Sequence, residues 1–295
     1  MRRLLIAGVV TACVAVLVVI ALVIAAVVRG GQVAIPALPA PLKPEECNIK
    51  IGSDTAELTL EQGQHSSTIA AIGFLRGDGV RGVTVALATA LQESKLENTP
   101  GGDRDSVGLF QQRPSQGWGT PAQLADPRYA ANAFYRRLET VDNWQSKPVA
   151  QAAQAVQRSA DGSAYAGWEP EATTLATAYS GQTAGAVTCL TRNSHSTSAL
   201  GEDLRRDLRA DLGSAASFAL GPGNAAGVPS LRVSAKPAGA DLQTYRRIEF
   251  WLVAHAQEYR VATVAYRDVK WTATDGTWKA LPTADPTGHI VVTFT

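Results

Sequence analysis

Three short segments carry side chains whose types and spacing could do chemistry: Gln92-Glu93-Ser94, Gly108-Leu109-Phe110-Gln111-Gln112 and Ala178-Tyr179-Ser180-Gly181. The first offers one carboxylic acid, the second amides that both donate and accept hydrogen bonds, and the third a phenol. One carboxyl group at the mouth of a cleft, a hydrogen-bonding wall opposite it and aromatic surfaces nearby are what acid catalysis at a glycosidic bond requires. Glu93 would have to meet its substrate protonated, and an apolar helix end with little solvent favours the neutral carboxyl. Ser94 then either bonds near the acid or substrate or simply closes the helix. Gln111 either lines the cleft or serves as a structural amide. Tyr179 either turns its hydroxyl toward substrate and Glu93 or faces the core. Trp118 either stacks on a sugar or covers the core. Asp103 and Asp105, ten and twelve residues beyond Glu93, are candidates for a second carboxylate, against the usual role of loop Asp as a turn former.

These residues need a helical frame. Val83, Leu87 and Leu91 repeat at helical spacing and predict a helix over Val80 to Leu96 that ends at the acid. A Gly, Asp, Ser and Pro-rich loop follows from Asn98 to Pro121. Asp126-Pro127 has the form of a helix start and leads into Ala130, Phe134 and Leu138. Further helices are expected over Pro148 to Gln157 and over Glu169 to Tyr179, the last with Ala172, Leu175, Ala176 and Tyr179 on one face and Gly181 as its terminator.

The order and spacing of the three segments resemble the lysozyme-like superfamily of soluble lytic transglycosylases and goose-type lysozymes. In that family a catalytic Glu followed by Ser ends a helix, a Gly-Leu-Met-Gln motif lies about fifteen residues later, and an Ala-Tyr-Asn-Ala-Gly motif closes the fold. Here Gly108 follows Glu93 by fifteen residues, Phe110 stands in the Met position and Ser180 in the Asn position. The resemblance spans Ile69 to Gly181. It implies that Glu93 protonates the glycosidic oxygen between N-acetylmuramic acid and N-acetylglucosamine in peptidoglycan. No cofactor is implied. The alternative is a wall-binding or scaffold protein that keeps the cleft without turnover.

The ends of the chain set its context. Arg2 and Arg3 precede an apolar, charge-free run from Leu4 to Val28, long enough to cross a bilayer core of about 30 Å as a helix. Its length favours an uncleaved signal anchor with the N-terminus inside and the bulk of the chain on the cell-wall side. Cys13 follows Val10-Thr11-Ala12 in a lipoprotein-like box, but the apolar run continues past it, which makes it a membrane-buried thiol. On the outside, Cys47 and Cys189 are expected to pair as a disulfide, the other possibility being two separate thiols. With 27 basic and 26 acidic residues the chain lacks the basic excess that nucleic-acid binding normally needs. The resemblance implies peptidoglycan strands as a partner, and the apolar run implies the membrane.

The fold expected is a mainly α lysozyme-like domain behind one N-terminal transmembrane helix, plus a small C-terminal α/β module. Residues 1–29 form the stub and anchor, 30–46 a proline-bearing linker, 47–192 the lysozyme-like domain, 193–228 an amphipathic helix (Leu204, Leu208, Leu212) and flexible linker, and 229–295 the module. Within the module a strand is expected at Leu231 to Val233, a helix over Asp241 to Glu258 and strands at Val261 to Tyr266, Val269 to Ala273 and His289 to Phe294. This order resembles the C-terminal part of zinc D-alanyl-D-alanine carboxypeptidase domains. Those carry a His-x-His pair, whereas here His289 is followed by Val291 in the second position, so no catalytic metal is expected. His255 and His289 read as ordinary solvent-facing or hydrogen-bonded residues. Trp271 and Trp278 either touch wall polymer or fill a small core.

Overall fold

The computed structural model describes residues 42–159, 161–192, 202–223, 229–235, 240–284 and 288–295. The apolar run Leu4 to Val28, Cys13 and the linker up to position 41 lie outside these residues, as do 193–201 and 224–228. Among the described residues no helix is long and apolar enough to cross a membrane. They form a mixture of helix and sheet in which both sheets are antiparallel.

The first element is a hairpin that the sequence did not signal. β1 (Cys47–Ile51) pairs with β2 (Asp54–Leu58) through Gly52-Ser53, and its other edge takes β3 (Val187–Cys189). That register sets Cys47 opposite Cys189, and the expected disulfide is present, closing 142 residues of chain. α1 (Leu60–Arg76) passes directly over it at Gly63, where a Cβ would lie 2.5 Å from the Cys47 sulfur.

The helices follow their sequence signals closely. Thr59 and Gln62 cap α1 reciprocally, each side chain accepting the other's backbone N–H. α2 (Gly79–Ser94) buries Val83, Leu87 and Leu91. A short α3 (Pro121–Leu124) precedes α4 (Pro127–Leu138), where Asp126 accepts the Arg128 N–H and Pro127 takes the first position. α5 (Val149–Gln157), a 3-10 segment (Gly162–Trp168) and α6 (Glu169–Tyr179) all pack on α2.

α7 (Glu202–Leu212) buries Leu204, Leu208 and Leu212, as its spacing predicts. The Gly, Ala and Ser-rich stretch after it does not form the expected flexible linker throughout. Ala216–Gly223 is β4, paired with β5 (Pro229–Ala235), because a strand's hydrogen bonds come from its neighbour and weak side-chain propensity does not forbid them. The expected helix over Asp241 to Glu258 is two helices, α8 (Leu242–Ala254) and α9 (Ala256–Tyr259), which meet at His255. β6 (Val261–Tyr266), β7 (Val269–Thr272), β8 (Thr277–Ala280) and β9 (Ile290–Phe294) complete a six-stranded sheet in the order β4-β5-β9-β6-β7-β8.

α8 is the joint of the molecule. It packs on β3, β5 and β6 and on α1, so one buried apolar cluster runs from Cys47 to Phe294, and Pro44–Thr295 forms one compact unit. A buried polar network crosses the same joint. Asp211 on α7 accepts from Arg128 Nε at 2.6 Å and from Trp251 Nε1 at 2.8 Å, and Tyr259 donates to Asp207 at 2.7 Å. His255, fully buried, sets Nδ1 against the Trp251 carbonyl at 2.8 Å and Nε2 against the Thr68 hydroxyl at 3.1 Å.

Candidate active site

Glu93 is the last residue but one of α2, and the chain turns sharply after it. Lys95 and Leu96 both hold left-handed backbone, at φ +58° and +63°, a conformation that non-glycine residues seldom adopt. α1 holds this turn in place. Gln62 Nε2 donates to the Lys95 carbonyl at 2.9 Å, and His65 Nδ1 lies 2.7 Å from the Leu96 carbonyl. Burial pulls the His65 pKa down, so its neutral ring donates there through Nδ1–H.

The half-buried Glu93 carboxyl is gripped on one side. The Tyr165 hydroxyl donates to Oε1 at 2.5 Å, and Gln157 Nε2 approaches the same atom at 3.3 Å while bonding the Phe110 carbonyl at 2.7 Å. Oε2 has no hydrogen-bond partner among the described residues. Burial, then the Glu93 contact, raises the Tyr165 pKa strongly, so the phenol keeps its proton and acts as donor. Beside the acid, Trp168 Nε1 donates to Gln92 Oε1 at 2.8 Å and Lys95 Nζ sits 4.1 Å above the Trp168 ring. An amide and a phenol thus meet at one carboxyl oxygen, and the indole holds the neighbouring Gln92.

The glycine–glutamine loop is brought up against this helix end. Ser94 Oγ donates to the Leu109 carbonyl at 2.7 Å, and Phe110 is buried against Phe134 with ring centroids 4.8 Å apart. Gly108 sits at φ +75°, and a Cβ there would lie 2.4 Å from the Leu124 carbonyl oxygen, so no other residue fits without displacement. Gln111 bonds the Thr99 hydroxyl at 2.8 Å and the Gly108 carbonyl at 3.1 Å.

The chain matches no family model, and none of the curated proteins is significantly similar to it. The placement of the expected site residues therefore stands on geometry alone.

Glu93, Ser94 and the Gly108 to Gln112 segment do converge, with Ser94 serving as the tether between them. The third segment makes no hydrogen bond to Glu93 among the described residues. Tyr179 is buried with its hydroxyl on Ser66 Oγ at 3.0 Å and on the Gly63 carbonyl at 3.1 Å, which fixes it as a core residue. Ser180 and Gly181 instead form the joint with α8. Arg247 Nε donates to the Ser180 carbonyl at 2.8 Å, and a Cβ on Gly181 would lie 2.3 Å from the Gln243 carbonyl oxygen. Trp118 is also buried, its ring covered by the Arg137 guanidinium at 3.7 Å, so it offers no open face for stacking. Gln111 is held inside its own loop by the two bonds above.

The second-carboxylate candidates have other duties. Asp105 accepts from Arg113 Nε at 2.7 Å and from the Ser115 backbone at 2.8 Å, and these contacts hold its carboxyl well below the usual carboxylate range. Asp103 points its side chain, 92% exposed, toward solvent. Gln157, Tyr165 and Trp168 are the site residues that sequence reasoning missed. The available signal was the pair Tyr165 and Trp168, two aromatics three apart in an otherwise small-residue segment.

In the C-terminal region His289 Nδ1 lies 2.6 Å from Ser234 Oγ, and Trp271 is fully buried as core. Trp278 is half-buried and donates through Nε1 to the Val187 carbonyl at 2.9 Å. Among the described residues no three His, Cys, Asp or Glu side chains are grouped to hold a metal ion.

Proposed function

We propose that the chain is a peptidoglycan-cleaving glycosidase of the lysozyme-like type, a muramidase or lytic transglycosylase anchored at the outer face of the cytoplasmic membrane. The observation that carries the reading is the asymmetry of Glu93: Tyr165 and Gln157 hold Oε1, which leaves Oε2 as the oxygen that would pass a proton to the substrate. In this mechanism Oε2 delivers that proton to the glycosidic oxygen, and the carboxylate that remains takes a proton back when the intermediate is resolved. Asp105 is neutralised by Arg113, which supports a single-acid route in which the substrate's own acetamido group assists. A 1,6-anhydro product forms when the muramic hydroxyl closes the ring, and a reducing end forms when water attacks. The test is turbidity loss of purified cell walls with the wild-type protein and with Glu93→Gln. The variant is expected to be slower by at least about 100-fold, the usual scale of a lost general acid.

The second reading is a wall-binding protein without turnover. It is favoured by the covered face of Trp118 and the engaged hydroxyl of Tyr179, which remove two expected substrate contacts. Retention of glycan strands without release of fragments would decide for it.

A further inference from the structure

Far along the chain from Glu93, α8 and the β6–β7 hairpin enclose a cavity of about 380 Å³ with the loop after α6 and Trp278 of β8 as its remaining walls. Glu249 lines it and is 3% exposed, yet its Oε1 has no hydrogen-bond partner. A buried carboxyl without a partner is costly, and in native folds such groups concentrate at functional positions. Around it stand Arg246, Arg267 and Asp268, so the lining carries two cationic and two acidic side chains. Its apolar walls are the Trp278 ring and the Tyr266 ring, the latter stacked on Tyr245 at 4.4 Å between centroids. Arg267 lies over the Tyr266 face at 5.3 Å and is otherwise exposed, a guanidinium presented at the rim.

We propose that this cavity binds a free amino-acid group, its ammonium set against Glu249 and its carboxylate against Arg246 and Arg267. An ammonium supplies the donor that Glu249 lacks, a carboxylate matches the guanidinium geometry, and a short aliphatic side chain fills the space between the rings. The paired charges of the lining are matched by a zwitterion and by neither a simple cation nor a simple anion. This site does not depend on Glu93 and holds whether or not the chain cleaves glycan.

Binding is coupled to protons. Burial pushes the Glu249 carboxyl up to about 8, with Arg246 on the same helix opposing it. The other ionisable groups facing it are Tyr266, Arg267 and Asp268 from the hairpin, while the loop after α6 and β8 contribute no titratable side chain to the lining. An ammonium requires the ionised carboxyl, so binding near neutral pH releases a proton from Glu249 and tightens as the pH rises from about 6 toward 8.

The experiment is isothermal titration of the full-length protein with leucine of either hand, with N-acetyl-leucine and with leucinamide, in buffers of different ionisation enthalpy. The expected result is saturable leucine binding with proton release, at least tenfold weaker for each blocked form. Glu249→Gln should weaken binding at least tenfold and abolish the proton release, and Arg267→Gln should weaken leucine while leaving leucinamide unchanged. The second variant carries the test if Glu249→Gln does not fold, since Arg267 is exposed. The proposal is overturned by absent leucine binding, by N-acetyl-leucine binding as tightly as leucine, by both variants binding as wild type, or by affinity that falls as the pH rises.

Discussion

Tyr165 and Gln157 converge on a single oxygen of Glu93, and neither touches the bond that would be broken. In the proposed mechanism Tyr165 is therefore a positioning residue. Tyr165→Phe should lower turnover about tenfold, the loss of one strong hydrogen bond to a carboxyl, and leave the thermal midpoint within a few degrees of wild type. A variant with full activity would remove Tyr165 from the account. Two other buried groups set the pH dependence of stability. Glu249 moves from 4.5 to about 8 on folding, so the folded state holds the extra proton between those values. Its contribution is complete below pH 4.5 and is lost as the pH rises through 8. His255 is lowered by burial from 6.5 to about 3, so its contribution is present above pH 6.5 and is lost as the pH falls toward 3. Urea unfolding should show stability declining on both sides of mildly acidic pH. Glu249→Gln should flatten the alkaline side by an amount on the order of a few kcal/mol, and an unchanged alkaline side would contradict this assignment.

At the scale of elements, the site depends on the α2 end and on the loop that Gly108 allows to close against it. Gly108→Ala combines a φ of +75° with a contact to the Leu124 carbonyl. It should destabilise the protein by about 1–3 kcal/mol in urea titration and loosen Glu93, with activity falling more than stability. Unchanged stability would show that the loop relaxes freely. Helix signals were readable because caps and apolar stripes are local: Asp126-Pro127 and the Val83, Leu87, Leu91 stripe both appear where their chemistry places them. The β1–β3 sheet was not readable, since β3 has three residues and pairs with a strand at the other end of the domain. That the bonds to Glu93 come from α5 and the segment after it was hidden for a related reason. Both α5 and α6 end in small and polar residues, and spacing along the chain does not say which end folds back onto Glu93. The Lys95 and Leu96 turn was equally hidden, because bonds from α1 impose a backbone that neither side chain favours.

Over the whole molecule, the helical region and the C-terminal sheet share a core through α8, with Asp211 fully buried among Arg128, Trp251 and Thr68. Asp211→Asn leaves Arg128 with only its longer ion pair to Asp207 at 3.9 Å and should lower stability by about 3–5 kcal/mol, while unfolding remains one cooperative transition. Two separate transitions in the wild-type protein would show that the joint is weaker than its packing implies. The sequence signalled two regions here, because composition changes after Cys189 while the contacts that join them are made between residues far apart in the chain. The central claim concerns Glu93 alone, and mass spectrometry of the soluble fragments released from purified peptidoglycan tests it most directly. The account predicts disaccharide-peptide fragments from the wild type and at least about 100-fold fewer from an equally stable Glu93→Gln protein. Equal yields from both, or fragments cut only within the peptide stems, would contradict it.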